Sequence, residues 1–142
     1  MTNIPEIYIG EKFFKLDEIL NSYKDKECGA VDIFIGMPRA SEEDGDIIEL
    51  FYESYKSMAE KVIKEIIEDA KEKFKLKKVI VHHRVGSVPL SEPSFLVVVW
   101  SGHREEAFKG CRYVVDEVKA KAPIWKKEIF RDGKEEWKEN KS

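Results

Sequence analysis

Six consecutive apolar residues, Phe95-Leu-Val-Val-Val-Trp100, stand between Pro93 and Gly102. A run this short and this rich in β-branched residues reads as a buried-type strand, and it is far below the length of a membrane span. Such a strand needs other elements to cover it, and the rest of the chain supplies them. Ser57–Phe74 places Met58, Ala59, Val62, Ile63, Ile66, Ala70 and Phe74 on one helical stripe, with Lys and Glu on the other face. A second long helix is expected over 104–121, with Ala107, Phe108, Cys111, Val114, Val115 and Val118 in phase, and Pro123 stops it.

Further strands are expected at 7–9, 30–35, 47–55 and 79–85, with a shorter helix beginning near Phe13 and ending near Cys28-Gly29. The segment holding Pro89 and Pro93 reads as a loop. Residues 124–137 read as a hairpin around Asp132-Gly133. Strands and helices are interspersed without strict βαβ alternation. The expected fold is therefore α+β: one domain over 1–142, with a mixed or antiparallel sheet, two long helices and a C-terminal hairpin.

The 25 basic and 28 acidic residues leave a net charge of −3, which argues against a general nucleic-acid binder. No secretory signal is visible and apolar residues are 42% of the chain, so a soluble cytoplasmic domain is expected. Lys and Glu number 20 each against five Arg and no Gln, a bias resembling proteins from hot environments. P-loop, Gly-x-Gly-x-x-Gly, His-Glu-x-x-His and Cys-x-x-Cys patterns are absent, and neither a metal nor a cofactor is expected. His82 and His83 are neighbours in a strand, so they should face opposite ways and not share a metal. Cys28 and Cys111 read as structural. The Lys-rich stretch 71–78 reads as a helix end with solvated cations.

Three cationic clusters carry more chemistry. Arg39 sits in a Gly-Met-Pro-Arg loop directly after a strand, where function often resides. His103 and Arg104 open the second long helix, whose free N–H groups and dipole attract anions. Arg104 either meets an anion there or turns outward to solvent. Lys119 and Lys126 belong to a block of four lysines within nine residues around Pro123-Ile-Trp125. If the chain turns back at Pro123, the two ammonium groups approach each other beside Trp125. Burial between like charges would lower a lysine pKa and fit it for proton transfer.

Gly36-x-x-Arg39, His83-Arg84-x-Gly86, Ser101-x-His103-Arg104-x-x-Ala107-Phe108 and Lys119-x-x-x-Ala122-Pro123-Ile124-Trp125-Lys126-Lys127-Glu128 occur in this order. Together they resemble the large, catalytic subunit family of molybdopterin synthase, from about Gly29 to Trp137. The resemblance implies an α/β-hammerhead-like fold and a homodimer. Each end of that dimer docks a small ubiquitin-like sulfur-carrier subunit, giving a heterotetramer. It also implies a sulfurtransferase: sulfur passes from the carrier's Gly-Gly thiocarboxylate to cyclic pyranopterin monophosphate, forming the dithiolene of molybdopterin. By the same resemblance Lys119 and Lys126 are the catalytic lysines, and Arg39, His103 and Arg104 bind the anionic substrate.

His103 and Lys119 are sixteen residues apart on one helix, which separates them by about 24 Å. The pocket is therefore expected to combine Lys119 and Lys126 of one protomer with His103 and Arg104 of its mate. Three segments depart from the family pattern. Ala40–Asp46 is acidic, Ser87–Pro93 replaces a glycine-and-acid turn, and near the C-terminus Lys138 and Lys141 stand where relatives place an arginine. Two other readings remain at this level: a non-catalytic dimeric sensor of a pterin phosphate or nucleotide, and a structural partner of a ubiquitin-like protein.

Overall fold

The computed structural model describes residues 3–40 and 45–139; residues 41–44 of the acidic loop, and Lys141, lie outside the described residues. In chain order the elements are β1 (Ile7–Gly10), α1 (Leu16–Asn21), β2 (Ala30–Gly36), β3 (Ile47–Ser54), α2 (Lys56–Phe74), β4 (Leu76–Arg84), β5 (Gly86–Pro89), β6 (Phe95–Ser101), α3 (Arg104–Lys121), β7 (Ile124–Phe130) and β8 (Glu135–Glu139). They form two four-stranded sheets, ordered β1-β4-β6-β2 and β5-β3-β7-β8. The first sheet is mixed because β1 runs parallel to β4 while β6 is antiparallel to both its neighbours. The fold is α+β, as the interspersed pattern implies.

Every residue of β6 is buried. Its odd-numbered side chains join those of Val79, Val81 and Ile9 in the larger core, which α2 and α3 close with Ala59, Ile63, Ile66, Ala107, Cys111, Val114 and Val118. Its even-numbered side chains pack with Ile4, Ile19 and Ile80, and Phe13, Phe14, Leu20 and Tyr23 cover that second cluster. Two apolar faces on one strand thus require two covering layers.

The helix expected to run from Phe13 toward Cys28 is only Leu16–Asn21. Its apolar residues cap the small cluster from irregular backbone on both sides, so the spacing reflected burial without continuous helix. The 86–89 segment, expected as loop, is the edge strand β5 paired with β3 from Glu49↔Pro89 to Tyr52↔Gly86. Its Pro89 is tolerated because it sits at the end of an edge strand. The C-terminal hairpin forms as read, with Gly133 at φ 90° in its turn.

The Lys-rich stretch 71–78, expected as a helix end, divides between the last turn of α2, which stops at Phe74, and the start of β4, and its cations meet surface carboxylates. Lys71 and Lys78 reach Glu6 at 3.9 and 3.1 Å, and Lys77 reaches Glu27 at 3.7 Å.

Candidate functional site

Pro123 ends α3 and the chain reverses at once into β7, which pairs with β3 in the register Tyr52↔Lys126. Directly opposed residues share a face, so Lys126 lies on the same side of its sheet as the buried Tyr52. Across the core, β4 and β6 bring His83 opposite Phe95. The His83 ring stacks on Phe95 with centroids 5.2 Å apart and meets Tyr52 edge-on at 5.0 Å. Lys119 comes down from the last turn of α3 and places Nζ 5.7 Å from the Phe95 centroid. Lys119, Lys126, His83, Tyr52 and Phe95 thus converge from five elements.

Lys119 is half-buried, and its pKa lies below the ordinary lysine value. Burial is the larger cause, and the nearby Lys126 ammonium adds to it. His83 is pushed down to about 4, by burial first and then by Lys119, against the bond its Nδ1 makes to the Arg84 carbonyl at 2.8 Å. The site therefore holds an ammonium with a lowered pKa, a second lysine, a neutral imidazole on an aromatic floor, and the buried Glu128 on the same face of β7 as Lys126.

The other cations sit elsewhere. His103 and Arg104 are exposed at the opposite end of α3, about 24 Å from Lys119 by helical rise. The Ser101 hydroxyl fixes that turn, donating to the His103 carbonyl at 2.8 Å and accepting from the His103 N–H at 3.2 Å. Arg104 takes the outward course, leaving the apolar stripe to Ala107 and Cys111. Arg39 follows β2 at the end where Gly36 opposes Phe95, which is the Lys119 end, and it is exposed. The chain thus gathers Lys119 and Lys126, with Arg39 at the same end of the sheet. It does not bring His103 and Arg104 to them.

Trp125 is not the wall of the lysine pair. Successive strand residues alternate, so Trp125 faces away from Lys126. It joins Trp137 on the outer face, around a hollow of about 430 Å³ also lined by Glu53 and Lys138. The aromatic floor under Lys119 is Phe95, with Tyr52 and His83 behind it. Only His83 of these had a local signal, its place beside Arg84; Tyr52 and Phe95 read as core.

The family model for the MoaE protein matches residues 9–121. The chain belongs to the MoaE family. It is 42% identical over 140 residues to the molybdopterin synthase catalytic subunit of Taeniopygia guttata, covering 96% of this chain and 90% of that one. It is 43% identical over 114 residues to the Rattus norvegicus subunit of the same name, spanning 80% of this chain but 57% of the relative's length. The crystal structure of molybdopterin synthase from Staphylococcus aureus superposes with a TM-score of 0.88 at 29% identity, covering 96% of this chain and 98% of that one. The fold is also that of a chain in the complex of subunits 1 and 2 of the molybdopterin-converting factor from Helicobacter pylori 26695, with a TM-score of 0.78 at 22% identity over 97% and 93%.

Neither thiol of this MoaE-family chain is set up as a nucleophile. Burial and the neighbouring Asp32 push Cys111 up to about 12, and burial raises Cys28. His82 and His83 face opposite clusters, with His82 Nε2 held 2.7 Å from the Pro5 carbonyl. None of the described helices is long and apolar enough to cross a membrane.

Proposed function

We propose that this chain is the catalytic subunit of a molybdopterin synthase: a cytoplasmic sulfurtransferase that works as a homodimer with a small ubiquitin-like carrier at each end. The carrier's Gly-Gly thiocarboxylate is the sulfur donor and cyclic pyranopterin monophosphate the acceptor. The observation that carries this reading is the half-buried Lys119 with its pKa depressed beside Lys126, in a MoaE-family chain. Both reactants are anions, and the sulfur nucleophile arrives on the partner. The chain must then supply position, charge neutralisation and a group that moves protons near neutral pH.

Lys119 meets the thiocarboxylate end of the carrier and moves the proton. Lys126 stabilises negative charge that develops as sulfur is transferred. Arg39, together with His103 and Arg104 of the mate, holds the phosphate, so that each pocket draws on both protomers. The shared fold with a chain solved in a complex of two converting-factor subunits is consistent with a partner subunit.

The test is single-turnover sulfur transfer from a thiocarboxylated carrier by Lys119→Ala and Lys126→Ala variants. Each should lose on the order of a hundredfold or more in rate, the usual range for a positioned proton-transfer group. Wild-type rates in both would eliminate the assignment, and product formation by the wild type separates an enzyme from a sensor or a docking protein.

A further inference from the structure

His83 is wholly enclosed and no step above uses it. Its Nδ1 lies 2.8 Å from the Arg84 carbonyl, which can only accept, so Nδ1 carries the proton and the ring is a fixed tautomer. Arg84 is itself held, donating from Nη1 to the Pro93 carbonyl at 3.0 Å and from its backbone N–H to the Ser94 carbonyl at 2.8 Å. On one side Tyr52 meets the imidazole edge-on and donates to the Ser94 hydroxyl at 3.4 Å. On another the imidazole lies nearly parallel to Phe95, at 25°. Phe95 in turn carries Lys119 Nζ over its ring. The chain of contacts thus runs from a rigid backbone carbonyl, through two stacked rings, to the ammonium.

We infer that His83 is a positioning residue for Lys119, acting through the Phe95 ring: the stacked, uncharged imidazole fixes the Phe95 plane, and that plane fixes the ammonium. This rests on the proposed use of Lys119 in sulfur transfer. An apolar residue of similar bulk would fill the space but would not set a ring plane, and a cation there would repel Lys119. The titratable groups on the faces packed around Lys119 include His83 from β4, Tyr52 from β3, and Lys126 and the buried Glu128, which share one face of β7. On α3 itself, Glu117 is engaged by Lys121 at 2.7 Å. With the Phe95 plane released, the ammonium hydrates more fully and its pKa moves back toward 10.5.

The experiment follows the Lys119 titration by NMR in the full chain with side-chain-labelled lysine, for wild type, His83→Leu, His83→Phe, Phe95→Leu and the double variant His83→Leu/Phe95→Leu. His83→Leu and Phe95→Leu should each move the Lys119 titration upward, back toward 10.5, and lower the fraction of neutral amine at neutral pH. The double variant should show no more than either single change, because the two residues act in series. His83→Phe keeps a stacked ring and should hold the Lys119 pKa near its wild-type value. In single-turnover assays His83→Leu should move the pH profile of the rate upward by the same amount, with KM for the pterin little changed.

A wild-type Lys119 titration in folded His83→Leu, an additive double variant, or an equal shift in His83→Phe would each overturn the inference. Should His83→Leu fail to fold, the Phe95→Leu and His83→Phe titrations decide it by the same criteria. Full activity of Lys119→Ala would instead refute the functional reading, while the titration would still judge His83.

Discussion

For the proposed homodimer, mixing two inactive variants, one carrying Lys119→Ala and the other Arg104→Ala, should restore activity to about a quarter of the sites once subunits have exchanged. Random exchange makes half the dimers mixed, and each mixed dimer has one intact shared site and one doubly defective site. The expectation depends on the two ends of α3 staying apart. Fifteen residues of helix separate Arg104 from Lys119, about 22 Å of axial rise. To bring both to one ligand within a protomer, α3 would have to unwind and expose Ala107, Cys111, Val114, Val115 and Val118, all buried. Burial of five such side chains is worth about 10 kcal/mol, comparable with the whole stability of a domain this size. A site that used both residues of one chain would cost most of the fold, and its prediction of no recovery differs from the quarter expected here. The assay is product formation after incubation, with exchange verified by native mass spectrometry of mass-tagged subunits. Proven exchange with no activity above that of the parents would refute the shared site and the argument from helix rigidity.

Two further predictions concern stability. A Cβ on Gly110 would stand 2.8 Å from both Leu76 methyls and 3.2 Å from its Cγ. Gly110→Ala gains about 1 kcal/mol of helix propensity but overpacks a buried contact at a cost of 1–3 kcal/mol, so we expect a net loss of about 1 kcal/mol and a Tm lower by about 3 °C. An unchanged or higher Tm in calorimetry would contradict that packing argument. Acid should destabilise the fold through its buried histidines. Because the folded pKa of His83 is lowered from 6.5 to about 4, its contribution is fully present above 6.5 and is lost as pH falls toward 4, by about 3 kcal/mol. His82, also lowered by burial, adds to the same slope. Urea midpoints measured between pH 7 and 4 should fall, and His83→Phe should flatten the dependence; a pH-independent midpoint would show that His83 is not buried neutral.

The long amphipathic helices and β6 were legible because their signals are local: a stripe at helical spacing, or an unbroken apolar run between breakers. The Asp-Gly hairpin was legible for the same reason. α1 and β5 were not. A few apolar residues before Cys28 fit a longer helix equally well, and whether Gly86–Pro89 pairs depends on an edge of β3 that lies distant in sequence. The candidate site divides along the same line. Lys119 and Lys126 are brought together by a turn that Pro123 announces. Trp125 was misplaced as their neighbour because adjacency in sequence becomes opposition across a strand.

What the sequence by itself determined is the cast: the long helices, most of the strands, the family resemblance, and the lysines, arginines and histidine proposed for the site. Tertiary structure alone decided the company those residues keep. Strand register set His83 on Phe95 and Tyr52 opposite Lys126, and the rigid length of α3 parted Lys119 from Arg104. Register and helix direction are settled by the burial of whole faces against one another, a sum over distant residues that no local pattern carries.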